Sequence, residues 1–428
     1  MNKLMRLMYH TLTYILLPFL IFFWLVKSLL NKSYLDRLTQ RFGFGYPKLN
    51  SSSIWIHAVS VGEVQASIPL VNELKHHYPQ KEIIITTVTP TGSKQVKNIF
   101  KGAVKTSYIP FETNFAIKKF FDSINPSVAL IMETELWPNL YKECGTRGIP
   151  LILVSARISE KSLINYKRFL PLFRDTLSHG ILIAAQSQID ADRFLALGAS
   201  KDRTWIMGNI KFDFKLPEEI LTKAKIHRSK IFPRRQIWIA ASTHDHEEEI
   251  ILEAHKKISE KIENALLILV PRHPERFAKI TQILKEDKWK YSKKSDDQDI
   301  TESCQVLLID TIGELLFFYA CSDVAFVGGS LLPVGGHNLL EPAAIGLPII
   351  TGAHTFNQKE MTDRLAQANA LRIVYNANSL SSDVIFFLTN AEESKNAGQR
   401  GKLIVESNKG AIKSLMKRLN IIIGEETQ

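Results

Sequence analysis

From residue 54 onward the chain repeats one scheme, in which a short, continuously apolar and β-branched run is followed by a segment with helical periodicity. The runs fall at 54–59, 83–89, 128–132, 151–154, 181–185 and 205–207. Strands that are apolar without alternation are buried on both faces, so the pattern predicts a parallel sheet covered on either side by helices. A polar, proline-bearing stretch at 213–235 interrupts the rhythm. It resumes at 237–241, 266–270, 306–309, 324–327, 348–350 and 372–375. Two tandem βα halves with a break near the midpoint account for this most simply. The expected fold is therefore α/β, with two Rossmann-like βα domains at 54–215 and 235–428 facing a central cleft. The charged, apolar-periodic tail at 393–419 is assigned to the second domain as one or two closing helices.

The N-terminus follows a different pattern. Residues 7–26 contain no Asp, Glu, Lys or Arg but include Tyr14, Phe19, Phe22, Phe23 and Trp24. Twenty apolar helical residues match the ~30 Å of a bilayer core. No small-x-small cleavage site follows, so residues 1–30 are expected to form a retained membrane anchor and residues 31–53 a basic linker ending Ser51-Ser52-Ser53. Basic residues flank the segment on both sides, with more after it, which predicts a cytoplasmic body. A helix lying in the interface would show the same pattern.

Composition narrows the function class. At 428 residues, 45% hydrophobic and 23% charged, the chain is globular and long enough for two domains of ~200 residues. The net charge of +11 points to an anionic partner. Part of that excess flanks the anchor, where Lys3, Arg6, Lys27, Lys32, Arg37 and Arg41 stand against Asp36 alone in residues 1–41. The rest is dispersed rather than interleaved with aromatics in one patch, which argues against nucleic acid. Cys144, Cys304 and Cys321 are too far apart for a CxxC motif or a disulfide framework.

Ligands of open parallel sheets bind beyond the carboxyl ends of the strands, so residues just after each strand carry the functional reading. The first strand leads into Ser60-Val61-Gly62-Glu63. This is not a dinucleotide-binding glycine motif, because a carboxylate stands where pyrophosphate would need close backbone approach. Glu63, near a helix start, should stay ionised and can accept a proton from a hydroxyl; local capping is its other reading. The third run ends in Glu133-Thr134-Glu135-Leu136-Trp137-Pro138-Asn139, whose glutamates either orient a polar substrate or cap the helix expected at 136–147. Lys211, in Gly208-Asn209-Ile210-Lys211-Phe212-Asp213, falls at the mouth of the expected cleft, where it offsets a leaving phosphate or is merely solvated.

The second half is richer in anion-binding groups. Pro271-Arg272-His273-Pro274-Glu275-Arg276 joins a strand to a helix, and Asp310-Thr311-Ile312-Gly313-Glu314 repeats the arrangement. The densest signal is Val327-Gly328-Gly329-Ser330 followed by Gly335-Gly336-His337-Asn338-Leu339-Leu340-Glu341-Pro342. Its glycines admit close approach of a phosphate, a helix is expected to begin near Asn338, and Glu341 can bond ribose hydroxyls. No Walker A loop is present. His244-Asp245-His246-Glu247-Glu248-Glu249 has the residue types of a metal site but reads better as an acidic helix start, and neither a metal nor a cofactor is expected.

Taken in order, Ser60–Glu63, Met132–Asn139, Gly208–Asp213, Pro271–Phe277 and Gly335–Ala344 resemble the successive motifs of the 3-deoxy-D-manno-octulosonic acid (Kdo) transferase family of Gram-negative bacteria. The resemblance spans essentially the whole chain. One departure is Ala353, where that pattern has proline. The resemblance implies a GT-B glycosyltransferase that moves Kdo from CMP-Kdo to the lipid A precursor lipid IVA, with inversion, at the cytoplasmic face of the inner membrane. It also implies that Glu63 is the base and that Glu133 and Lys211 stabilise the transition state. Pro271, Arg272, Ile312, Gly313, Glu314, Asn338, Leu339, Leu340 and Glu341 would hold CMP, with no metal. The alternatives are a GT-B transferase using another nucleotide sugar on a membrane lipid, and a membrane-anchored basic adaptor with no catalytic role.

Overall fold

The computed structural model describes the chain apart from residues 1–2, 50–51, 215, 232, 234, 297–299 and 425–428 and the side chains of 3–6 and 231. Ser51 of the expected linker, the boundary residue Lys215 and the flanking side chains of Lys3 and Arg6 thus lie outside the described residues. The chain separates into two compact units, one of residues 1–214 with 408–428 and one of residues 215–407. In each unit the described residues form one seven-stranded parallel sheet.

The first sheet is built from β1 (Ser53–His57), β2 (Ile83–Thr87), β3 (Lys105–Tyr108), β4 (Pro126–Met132), β5 (Leu151–Ala156), β6 (Leu182–Ala185) and β7 (Thr204–Ile206), in the order β3-β2-β1-β4-β5-β6-β7. Along β1, Ile54 and Ile56 enter the core on one face while Trp55 enters the core on the other. This two-sided burial is why the sequence shows no polar alternation. The strand order reverses between β1 and β4, the position where doubly wound sheets bind ligands. The second sheet holds β8 (Ile237–Thr243), β9 (Leu266–Pro271), β10 (Tyr291–Lys293), β11 (Val306–Leu308), β12 (Val324–Val327), β13 (Ile349–Gly352) and β14 (Leu371–Val374). Its order, β10-β11-β9-β8-β12-β13-β14, reverses between β8 and β12.

Four expectations need correction. Strands β3 and β10 were not foreseen: both are short edge strands with few apolar residues, so they lack the buried-run signal. The basic linker is folded rather than loose. Gln40 Oε1 accepts bonds from the Tyr108 amide at 3.1 Å and the Ser107 hydroxyl at 3.0 Å on β3. Arg41 is buried with its guanidinium 3.8 Å from the centre of the Trp24 ring. The polar break at 213–235 contains the helix Glu218–Ile231, which belongs to the second unit and is tied to it by Arg228 and Asp323 at 2.8 Å.

The fourth correction concerns the tail. Helix Ala391–Ser407 stays with the second unit, but Ala411–Ile423 returns to the first. Ile412, Leu415, Met416 and Leu419 pack there with Ile54, Val128 and Met207 in one core cluster. Asp213 fixes the start of the helix by accepting the Gly410 amide at 2.6 Å and the Ile412 amide. The amphipathic face that looked like a closing element of its own domain therefore completes the other core. Leu415 is fully buried, so Leu415→Ala should cost about 2–5 kcal/mol. Denaturant unfolding that shows a loss below about 1 kcal/mol would mean that this helix is not part of the first core.

Candidate active site

In the first unit the chain leaves β1 into the helix Val61–Ala66, with Ser60 as its N-cap. Glu63 sits at the third helical position and folds back. Its Oε2 accepts the Val59 amide at 2.8 Å, its Oε1 accepts the Ser60 hydroxyl at 3.0 Å, and its own amide donates to Ser60 Oγ. This is the capping reading realised, and it also fixes the carboxylate. Burial raises the Glu63 pKa and the nearby charges of Glu133 and Glu135 add to the rise, against the bonds from Val59 and Ser60. Burial thus works against the helix dipole that was expected to favour the ionised form. Glu63 is a carboxylate made more basic.

Glu133 ends β4 with its backbone in the left-handed region, φ +56°. Lys211 Nζ donates to its Oε1 at 2.9 Å, and Arg157 donates to its Oε2 at 2.9 Å through Nε, with Nη2 at the same distance. Burial alone would raise this carboxyl, but Lys211 and Arg157 outweigh it and hold Glu133 below the usual range. Lys211 is positioned by its turn Ile210–Asp213. Ser155 Oγ accepts the Ile210 amide at 2.9 Å, and Asn209 Oδ1 accepts the Lys211 amide at 3.0 Å. The structure thus joins Glu133 and Lys211, and Glu63 senses Glu133 electrostatically. Arg157 was missed by sequence reasoning, although its position directly after β5 was the available signal.

Neither glutamate of the Glu133–Asn139 segment caps the following helix, which is Pro138–Arg147. Glu112, in the loop after the unforeseen β3, does so, accepting the Asn139 amide at 2.8 Å, the Leu140 amide at 3.0 Å and the Tyr9 hydroxyl at 3.0 Å. Glu135 instead accepts Trp137 Nε1 at 2.6 Å and is raised by burial. Beside it lies a small pocket lined by His57, Ile131, Trp137 and Tyr141. His57 Nδ1 meets Thr86 Oγ1 at 2.9 Å, while its Nε2 has no hydrogen-bond partner among the described residues.

In the second unit, Pro271 closes β9 and Arg272 stands exposed beyond it, its amide bonded to the Thr243 carbonyl at 3.0 Å. Ile312 is 81% exposed and Gly313 has φ +92°, with open space where a Cβ would stand. Glu314 is bonded by the Thr311 hydroxyl. Asn338 is exposed and bonds Glu341 at 3.1 Å, and burial raises Glu341. Leu339 is 1% exposed, so only its backbone faces outward chemistry. The helix here starts at Leu340 and runs only to Ile345.

The Gly328-Gly329-Ser330 loop does not offer its amides to a phosphate. Glu247, fully buried, accepts Gly329 N at 2.7 Å, Ser330 N at 3.0 Å and Leu331 N at 2.9 Å. Its neighbour Glu248 pairs with Arg276 at 2.8 Å. Of the acidic run, Asp245, His246 and Glu249 remain exposed with ligand-type atoms within 4.8 Å of one another, and Asp245 is engaged by Arg276 and Lys279.

Two doubly wound parallel βα units make up the GT-B fold class. The fold agrees with solved structures such as UDP-GlcNAc 2-epimerase from Neisseria meningitidis, at TM-score 0.56 and 15% identity over 86% of this chain and 99% of that one. A family model described as 3-deoxy-D-manno-octulosonic-acid transferase (kdotransferase) matches residues 36–214. The chain is 40% identical to the 3-deoxy-D-manno-octulosonic acid transferase of Haemophilus influenzae, over 97% of this chain and 98% of that one. The C-terminal CMP-Kdo binding domain of WaaA from Acinetobacter baumannii is 33% identical, with TM-score 0.43, and covers 44% of this chain and 99% of its own. The chain belongs to the 3-deoxy-D-manno-octulosonic acid transferase family and is a glycosyltransferase.

Burial pushes Glu112 up to about 7, against the lowering bonds from Asn139, Leu140 and Tyr9. An ordinary glutamate in the unfolded chain titrates near ~4.3. The folded state therefore binds the extra proton between those values, and the stabilisation present below the lower one is lost as pH rises through the upper. Unfolding free energies of Glu112→Gln and wild type should accordingly shift in the variant's favour from pH 5 to pH 8. A difference independent of pH would place Glu112 in the ordinary carboxylate range.

Proposed function

We propose that this enzyme transfers Kdo from CMP-Kdo to the lipid A precursor lipid IVA by direct displacement with inversion. The observation that carries the reading is the division of labour between two carboxylates. Glu63, held only by neutral donors and made more basic, takes the proton of the acceptor hydroxyl. Glu133, held between Lys211 and Arg157, stays ionised and fixes those cations where negative charge develops. The acceptor oxygen forms its bond to the anomeric carbon as the bond to the CMP phosphate oxygen breaks, and CMP leaves with the electron pair.

CMP is assigned to the second unit. Arg272, beside Pro271, meets the phosphate. The exposed Ile312 with Gly313 and Glu314 offers an apolar surface and a turn for the base, and Asn338 through Glu341 meets the ribose, Leu339 and Leu340 contributing backbone. Because Glu247 occupies the Gly329–Leu331 amides, the phosphate depends on Arg272 more than the glycine pattern implied.

The N-terminal segment Leu7–Leu30 is long and apolar enough to cross a membrane, with a mean hydropathy of 2.0. We place it in the inner membrane with the body on the cytoplasmic side, lying in the interface rather than crossing. Tyr9 bonds Glu112, while Trp24, some four turns on, packs against Arg41 and Phe111, so the helix touches the first unit at both ends. Phe19, Phe22 and Leu29 are left outward. An N-terminal tag should stay inaccessible from outside sealed spheroplasts, and labelling there would establish a crossing helix.

Glu63→Gln should reduce transfer about 10²–10⁴-fold while preserving CMP binding and the melting temperature. In the wild type, kcat/KM should fall on the acid side with an apparent pKa above the ordinary glutamate range. Near-normal transfer by the variant would remove Glu63 from the base role. Mass spectrometry of the product from CMP-Kdo and lipid IVA tests donor and acceptor together. Stabilisation by a UDP- or GDP-sugar instead of CMP would assign a different donor.

A further inference from the structure

Three imidazoles in the second unit have no role in the scheme above: His244 after β8, His273 after β9 and His337 in the loop after β12. His244 Nε2 and His337 Nε2 lie 2.7 Å apart, their rings within 10° of parallel, and His273 packs edge-on to His244 at 5.1 Å between ring centres. The seat for this pair is built into the backbone. Gly329 has φ +67°, and a Cβ there would stand 2.8 Å from His337 Cδ2. Glu247 beneath accepts both the Gly329 and His244 amides, the latter at 3.1 Å. The pair also bridges β8 and β12, the strands between which chain order reverses.

Two imidazole nitrogens at that distance hold one hydrogen between them, so one ring donates and the other accepts. One further proton fits on the outer nitrogen of the donor ring without breaking the contact, and another does not. The pair therefore carries a charge of zero or plus one. The groups facing it are Arg272 and His273 from the end of β9, Arg276 from the turn that follows, and Glu247 from the helix Glu247–Lys261. Burial, mutual repulsion, Arg272 and His273 hold His337 at about 4 and keep His244 below the usual imidazole value, with Glu247 acting in the opposite sense on His244. Without ligand the pair is uncharged at neutral pH.

CMP-Kdo carries two anionic groups close to one carbon, the phosphodiester and the carboxylate of the octulosonic acid, and Arg272 answers only one of them. We propose that the His244–His337 pair, carrying one shared proton, receives the sugar carboxylate, so that donor binding draws one proton from solvent. This rests on the CMP-Kdo reading above. The arriving anion reverses the electrostatic sense of the site and makes the charged pair favourable.

Calorimetric titration of the full-length wild type with CMP-Kdo, in buffers of different ionisation enthalpy at pH 7.5, should show uptake of about one proton, and none with His337→Gln. In that variant KM for CMP-Kdo should rise about tenfold, kcat should fall by a smaller factor, and the wild-type rise of KM between pH 7 and 9 should disappear. CMP, which lacks the carboxylate, should lose less than threefold in affinity. No proton uptake by the wild type, or equal weakening of CMP and CMP-Kdo, overturns the proposal. His244→Gln repeats the test from the other ring, and should both variants unfold, the wild-type proton count decides alone. A wild type that binds neither CMP nor CMP-Kdo overturns the parent reading instead.

Discussion

A carboxylate withdrawn from water has to be met by donors, and the strand-end loops of this protein are shaped by how that requirement is met. Glu133 draws Lys211 and Arg157 to itself and so ties together the segments that follow β4, β5 and β7. Glu112 gathers the start of the helix Pro138–Arg147 and the N-terminal Tyr9. In the second unit Glu247 collects three successive amides and turns the glycine loop inward. Only Glu133 is met by cations; Glu112 and Glu247 are met by neutral donors.

The same demand accounts for the backbone. Glu133, Ser155 and Ser242 are non-glycine residues with φ between +53° and +58°, at the ends of β4, β5 and β8. At Ser155 and Ser242 the register of the ladder also slips. The bulge at Ser155 frees its hydroxyl to accept the Ile210 amide, which sets the Lys211 turn. Strain of this kind, on the order of 1–3 kcal/mol per residue, persists only because the surrounding bonds determine the conformation. It falls where polar side chains must be aimed out of a sheet whose faces are both covered.

What the sequence made legible follows from this physics. Long buried strands announce themselves as continuous apolar runs, so both sheets and the strand-end positions of Glu63, Glu133, Lys211 and Arg272 could be read directly. Edge strands β3 and β10 carry no such run, and with β3 went Glu112, the residue that caps the helix Pro138–Arg147. The helix Ala411–Ile423 has an ordinary amphipathic pattern, which states that a face is buried but not in which core. The glycines after β12 were read as admitting a phosphate, and the structure gives the loop amides another use. The partner is the protein's own Glu247 and the two imidazoles, a long-range choice that composition does not encode.

Glu63 and Glu133 are chemically identical and both follow strands at the switch point of one sheet, so any difference in the roles proposed for them has to come from their surroundings. Glu133 has an oxygen committed to each of two cations, and its proton affinity is lowered accordingly. Protonating it would break two charge-assisted bonds. Glu63 is held by an amide and a hydroxyl, which orient it without neutralising it, and Glu133 itself adds to its basicity. Burial is the main cause of the rise at Glu63, with smaller contributions from the carboxylates of Glu133 and Glu135. The inverting transfer proposed above would use this difference: one carboxylate to take a proton, and one that keeps its charge and fixes two cations in place.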